Sequence, residues 1–446
     1  MGAFAPLILR PHHSCIRSAV MSSSSIQLPT EIYDRIFAFS GDNTRCSVAR
    51  ASRVFHDLVI PYLYAAPDLS AIPTLLSRSD LAKHAKSVII TWDSHIFKHN
   101  DSVSHDSRVG KLSTPVALTR EQAEQYRIDK DNLILLHLCY PPIQTTLLLR
   151  ICRHLEAFHG FMAYEMVFFD AHFPPLIDPF GHAPDRSANC PFQRITAIDI
   201  SPCTQWREYD RPWALDASML LRIMLLPALR KMVVDTVLQG QDWSESIAAI
   251  TPSLHGSSSV TDLRLIGTLV TPVLCDLIHV PRALSTFCYG HTPLGTLETS
   301  NLAEALINSP SRSSLRRIEI FVAGHGQLEA NPLPSFDGDL HGLKYLPDLR
   351  SLTTDTQMLL GCAVEEADMA HRLVDALPKT LHTLVLQHFT TSFSSSKLAA
   401  DTASQVIETF GPYLLNHLDL GLDHEGWSED DVARVKALAS RQDVQI

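Results

Sequence analysis

Leu315-Arg316-Arg317-Ile318-Glu319-Ile320, Leu381-His382-Thr383-Leu384-Val385-Leu386 and Leu415-Asn416-His417-Leu418-Asp419-Leu420 share one frame, Leu-x-x-Leu/Ile-x-Leu/Ile. The alternation in each second half puts apolar side chains on one face of an extended chain, so each reads as a strand of about four residues. Looser versions recur at Ser87 to Thr91, Leu155 to Phe161, Ile195 to Ile200, Leu229 to Val234, Leu263 to Ile266, Leu284 to Cys288 and Leu349 to Thr353. Helical stretches precede many of them and end at a proline: Ala217 to Leu226 before Pro227, Leu302 to Ile307 before Pro310, Ala370 to Leu377 before Pro378, and Ala403 to Phe410 before Pro412. A helix, a proline and a short apolar strand make one α/β unit that cannot cover its own apolar faces, so neighbouring units must stack.

Leu229, Leu263, Leu284, Leu315, Leu349, Leu381 and Leu415 are separated by 34, 21, 31, 34, 32 and 34 residues. With these units, residues 67–446 resemble leucine-rich repeats in architecture, although the spacings are uneven and most strands lack a following Asn. The resemblance implies an α/β solenoid whose strands line one face and whose loops form the rim, where a protein would bind. An irregular α/β domain with the same alternation is the other reading. The polar segments Asp93 to Thr119, Pro174 to Pro191 and Gly324 to Gly342 exceed ordinary loop lengths and read either as disordered insertions or as partner-specific elements. Ser428-Glu429-Asp430-Asp431 caps and charges the start of a final helix running through Ala439.

Upstream the texture changes. Leu28-Pro29-Thr30-Glu31-Ile32-Tyr33-Asp34-Arg35-Ile36-Phe37 places a proline and a carboxylate in a first helical turn, with Ile32 and Ile36 four apart. Gly41-Asp42-Asn43 breaks this helix, and a second is expected from Thr44 to about Val54. In a third segment Phe55, Leu58, Val59, Tyr62 and Leu63 follow helical spacing, with Pro61 at a start or a kink. A three-helix unit of this size buries little surface and is expected to dock on a partner.

Leu28-Pro29-x-Glu31-Ile32-x-x-Ile36-Phe37, then Ala51-Ser52-Arg53-Val54-Phe55 and Pro61-Tyr62-Leu63-Tyr64, resemble the F-box family in its fungal form over residues 26 to 64. Arg45 and Cys46 stand where that family prefers leucines, and Ala51 where it prefers valine. The resemblance implies binding of the Skp-type adaptor of cullin-RING ubiquitin ligases, with Leu28, Pro29, Ile32, Ile36, Phe37 and Val48 at that interface. The expected organisation is a disordered leader over 1–25, an F-box-like module over 26–66 and a leucine-rich-repeat-like solenoid over 67–446. The leader has no acidic residue before Glu31, but Pro6 and Pro11 oppose the amphipathic helix of a transit peptide.

Composition narrows the functional classes. With 37 basic and 48 acidic residues the formal charge is −11, and no Lys/Arg-rich run is present, so no nucleic-acid partner is expected. No stretch reaches the roughly 20 apolar residues of a membrane span. The nine cysteines are scattered without a CxxC pair, as in reduced intracellular proteins of cytoplasm or nucleus. Asp93, His95, His99, Asp101, His105 and Asp106 are the densest set of potential metal ligands, but no HExxH glutamate accompanies them and the segment reads as a solvated loop. Asp337-Gly338-Asp339 lacks the rest of a calcium loop, and no G-x-S-x-G, phosphate-binding or dinucleotide motif is found. No catalytic residue, metal or cofactor is therefore expected.

Two expectations follow. In one, the helical module docks on the adaptor and cullin scaffold while the repeats hold an unidentified substrate protein, so the work is positioning. In the other, the repeats are a scaffold outside any ligase and the helices merely cap them. Exposure of Leu28, Pro29, Ile36 and Phe37 separates the two, because an exposed apolar patch signals an absent partner.

Overall fold

The computed structural model describes residues 30–51, 53–67, 69–90, 116–126, 128, 141–152, 154–162, 192–202, 217–238, 251–292, 296–323, 335–361, 366–389, 392–411, 415–422 and 426–446. The leader lies outside them, as do the candidate ligands between His95 and Asp106 and the segment 174–191. The chain divides into two compact units, Met1–Tyr62 and Leu63–Ile446.

The first unit contains α1 (Thr30–Phe39), α2 (Asp42–Ala51) and most of α3 (Arg53–Leu63). The second helix starts two residues before the expected Thr44, and Pro61 lies inside α3 rather than at its start. An aromatic group holds the unit together. Tyr33 lies 5.6 Å from Phe55 and 6.3 Å from Phe37, and Phe37 lies 6.1 Å from Tyr62, as ring-centroid distances. Arg45 stands where the family resemblance prefers a leucine. Its Nε donates to the Phe37 carbonyl at 2.9 Å, adding a side-chain bond at the end of α1, and its guanidinium sits 5.9 Å from the centre of the Tyr62 ring.

The second unit is an α/β structure built on ten parallel strands: β1 (Ser87–Ile90), β2 (Ala157–Met162), β3 (Ala197–Pro202), β4 (Lys231–Leu238), β5 (Asp262–Thr268), β6 (Thr286–His291), β8 (Arg317–Val322), β10 (Ser351–Asp355), β11 (Thr383–Gln387) and β12 (His417–Asp419). Each lies beside the one before it in that order. A small parallel pair, β7 (Thr296–Glu298) and β9 (Ser335–Asp337), forms a separate two-stranded sheet. The polar segment read as a loop from Gly324 to Gly342 is thus ordered at its end, where β9 pairs with β7 and a 3-10 turn begins at His341.

Registers explain why these sequences form one sheet. Val88, Phe158, Ile198, Met232, Leu263, Phe287, Ile318, Leu352, Leu384 and Leu418 are paired neighbours across all ten strands, and every one is buried. Two residues on, Ile200, Val234, Leu265, Tyr289, Ile320, Thr354 and Leu386 form a second buried row. A one-residue slip would move either row to the opposite face, so burial of one face sets the register. The intervening positions are mostly half-exposed; at Gly290 a Cβ would come within 3.1 Å of the Phe321 ring, so glycine there lets that ring lie over the strand.

Most strands start about two residues later than the apolar frames, while β1 starts with its frame and β5 one residue before it. Leu229, Leu284, Leu315, Leu349 and Leu381 are buried at turns leading into the sheet, and the next residue offers its carbonyl to two successive N–H groups of the following unit. The Arg316 carbonyl, for example, accepts from Arg350 N at 2.8 Å and Ser351 N at 3.0 Å, and the Arg350 carbonyl from His382 N at 2.8 Å and Thr383 N at 2.9 Å. The same double bond recurs from Ala65 before β1 to His382 before β12, forming a ladder along the amino edge. Both lateral edges are partly covered, by Ala65 beside β1 and Gln445 beside β12, which limits edge-to-edge pairing with other chains.

The connecting helices include α4 (Ile72–Ser77), α5 (Arg120–Gln125), α6 (Pro141–Ile151), α7 (Ala217–Met224), α8 (Thr271–His279), α9 (Thr299–Asn308), α10 (Thr356–Leu360), α11 (Glu366–Ala376), α12 (Ser396–Phe410) and α13 (Glu429–Arg441). Neighbours in sequence pack on one another, α8 on α9, α11 on α12 and α12 on α13. The helix expected from Ala403 begins seven residues earlier, because Ser395 caps it by accepting from Leu398 N. Ser428 caps α13 as expected, accepting from Asp431 N.

Candidate functional site

Short amphipathic helices normally turn their apolar stripe inward. On α1 the stripe is split. Phe37 is 3% exposed in the aromatic group, whereas Ile32, Ile36 and Phe39 are 42%, 48% and 92% exposed. These three stand at i, i+4 and i+7, one face of one helix. Among the described residues the only other exposed large apolar side chains are Val270 and Tyr345, both in the second unit. At the carboxyl end of α1, Ser40 Oγ donates to the Ile36 carbonyl at 2.6 Å, and Ser40 N to the Phe37 carbonyl at 3.3 Å. The helix therefore ends in a hydrogen-bonded turn that leaves Phe39 outside.

Of the six residues carried over from the family resemblance, four are described, and they differ in exposure. Ile32 and Ile36 lie together on the exposed stripe, and Val48 is half-buried on α2. Phe37 lies in the interior of the unit, with its ring between those of Tyr33 and Tyr62. Leu28 and Pro29 lie outside the described residues. Phe39 was missed by sequence reading, although its spacing from Ile32 and Ile36 was the available signal.

The second unit offers different chemistry. Asp355, at the end of β10, is a buried carboxylate that accepts from Gln357 N at 2.8 Å to cap α10 and approaches His388 Nδ1 at 2.7 Å. His388 follows β11 with φ 52°, a left-handed conformation uncommon outside glycine, and its imidazole pKa is raised by the hydrogen bond to Asp355, against partial burial. The thiols of Cys152, Cys275 and Cys288 are pushed up to about 12, mainly by burial, and so stay protonated near neutrality. Asp339, in the Asp337-Gly338-Asp339 motif, uses its carboxylate to accept from His341 N at 3.0 Å. Among the described residues no group of three or more His, Cys, Asp or Glu side chains is placed to hold a metal ion, and no helix is long and apolar enough to cross a membrane. A search of protein-family models found none that matches this chain, and a search of curated proteins found no match.

Proposed function

We propose that this protein is the substrate-recruiting subunit of a cullin-RING ubiquitin ligase of the SCF type, docking on the Skp-type adaptor through the first unit and holding a protein substrate on the second. The observation that carries the proposal is the exposed stripe Ile32, Ile36 and Phe39, three large apolar side chains on one face of a ten-residue helix. Burying side chains of this kind contributes roughly 1.5–3 kcal/mol each. In this reading Leu28, Pro29 and Val48 join the interface as the F-box resemblance implies, and Phe37 supports it from inside.

The F-box resemblance of residues 26–64 supplies the identity of the adaptor, and the strand order of the second unit supports reading it as an irregular leucine-rich-repeat-like solenoid. Parallel strands in chain order and helices packed on their sequence neighbours are what stacked α/β units produce. The chemistry would belong to other subunits, with this chain raising the local concentration of the substrate.

The test is capture of purified Skp-type adaptor by the full chain and by an Ile32→Ser, Ile36→Ser, Phe39→Ser variant, with circular dichroism to check the fold. Binding by the wild type and at least about a hundredfold weaker binding by a folded variant is expected, since truncating one apolar anchor costs about 2 kcal/mol or more, the variant lacks three, and every 1.4 kcal/mol is tenfold. No wild-type binding at micromolar adaptor would overturn the ligase reading.

A further inference from the structure

The ladder along the amino edge of the sheet has one residue per strand at each rung. Where that residue is Ser or Thr, its hydroxyl can turn back on the preceding rung: Thr196 Oγ1 donates to the Glu156 carbonyl at 3.0 Å, Thr261 Oγ1 to Arg230 at 3.2 Å and Ser285 Oγ to Thr261 at 2.9 Å. The next two rungs, before β8 and β10, are arginines, and the one after is His382. Arg316 and Arg350 are exposed and joined backbone to backbone, and neither side chain forms an ion pair or hydrogen bond among the described residues. Side chains on adjacent rungs come close, as His382 Nδ1 and Asn416 Nδ2 do at 3.5 Å. Two guanidinium charges thus stand on neighbouring strands, which lie about 4.8 Å apart.

Nothing in the fold requires this. Like charges on directly paired positions are destabilising, and the earlier rungs show that a hydroxyl fits the position. Other arginines of the region are engaged, Arg230 with the Ser259 carbonyl, Arg312 with the Tyr345 carbonyl and Arg317 with Glu319. Asp348, two residues before Arg350, makes no ion pair with it among the described residues. The result is a positive strip on a chain of net charge −11.

We infer that Arg316, Arg350 and His382 form a docking surface for a carboxylate-rich segment of the recruited protein. Paired guanidinium groups match carboxylates through short, charge-assisted bonds. The strip spans only about two strand spacings, or 10 Å, suited to a few carboxylates, while the negative charge of the rest of the chain repels a long polyanion such as nucleic acid. This inference deepens the reading of the second unit as a protein-binding module and does not depend on the α1 stripe.

The test is fluorescence anisotropy of the full chain with a fluorescein-labelled peptide of alternating glutamate and glycine, against a glutamine–glycine control. Saturable binding to the acidic peptide is expected, weakened about tenfold in Arg316→Gln/Arg350→Gln, the loss expected for one charge-assisted pair or more. It should be unchanged in Lys436→Gln/Arg441→Gln, which removes equal charge from α13. If the double variant does not fold, Arg350→Gln alone carries the test, with about a threefold loss. No binding by the wild type at millimolar peptide, equal loss in both double variants, or tighter binding to an oligothymidine of the same length would each overturn the inference. Peptide binding by a chain that fails to capture the adaptor would overturn the ligase reading and leave this one standing.

Discussion

Ile36 and Ile318 are the same residue in opposite circumstances. Ile318 sits in the row of ten apolar side chains that crosses the large sheet, with Phe287 and Leu352 as neighbours on either strand, and is fully buried. Ile36 sits on a helix whose unit contributes two other helices among the described residues, and about half of it faces outward. The large unit can cover every apolar row because each strand brings its own neighbour. The small one has enough apolar surface for an interior around Phe37 and for a second face besides, and that second face is what a partner would complete.

The comparison breaks if the two apolar sets carry stability equally. Phe37→Ala should cost about 3–5 kcal/mol and Leu352→Ala about 2–5 kcal/mol, since both truncate buried side chains and leave cavities. Urea unfolding followed by far-UV circular dichroism measures both. Ile36→Ala, by contrast, should lie within about 0.5 kcal/mol of wild type, as exposed substitutions do. A cost for Ile36→Ala approaching that of Leu352→Ala would mean that the stripe already has an intramolecular partner, and the proposed interface would fall with it.

A smaller effect sharpens the comparison within the sheet. Thr354 occupies the position that Ile320 and Leu386 fill on the neighbouring strands, fully buried, and its Oγ1 has no hydrogen-bond partner among the described residues. An unsatisfied buried hydroxyl costs free energy that an apolar isostere avoids. Thr354→Val should therefore stabilise the protein by about 1 kcal/mol, read as a higher urea midpoint at unchanged slope. Destabilisation would show that the hydroxyl has a partner after all.

Much of the large unit was legible beforehand because its information is periodic. Each of the ten expected strands forms, and the frame Leu-x-x-Leu/Ile-x-Leu/Ile is the linear record of a turn leucine followed by two inward positions. Its first leucine misled only about where the strand begins, since that residue is buried at the turn instead of paired in the sheet. What lacked a period was lost. The three-residue strands Thr296–Glu298 and Ser335–Asp337 are joined across an intervening helix and strand. The site on α1 was half legible, since Ile32 and Ile36 follow helical spacing, but the assignment of Phe37 came from a family pattern that does not say which face each apolar residue takes. Arg316 and Arg350, 34 residues apart, become neighbours only when the register is known.

The Asp355–His388 pair was hidden for the same reason, each residue lying at the carboxyl end of one of two adjacent strands, and it supplies the smallest expected effect. The hydrogen bond from the imidazole to the Asp355 carboxylate raises the His388 pKa, the carboxylate's charge adds to it, and partial burial of the ring opposes both. Below the unfolded-state value of about 6.5 the imidazole is protonated in both states, so the stabilisation is fully present. As pH rises through the higher folded-state value the proton leaves, and the stabilisation is lost. Because the His388 side chain is 42% exposed, solvent screening keeps the effect below about 1 kcal/mol. His388→Asn isolates it, since asparagine tolerates the left-handed backbone better than most residues but carries no proton-dependent charge. Between pH 5.5 and pH 8.5 the wild type should lose more of its unfolding free energy than the variant does. Parallel pH profiles would mean that the bond to Asp355 does not raise the His388 pKa enough to contribute pH-dependent stability.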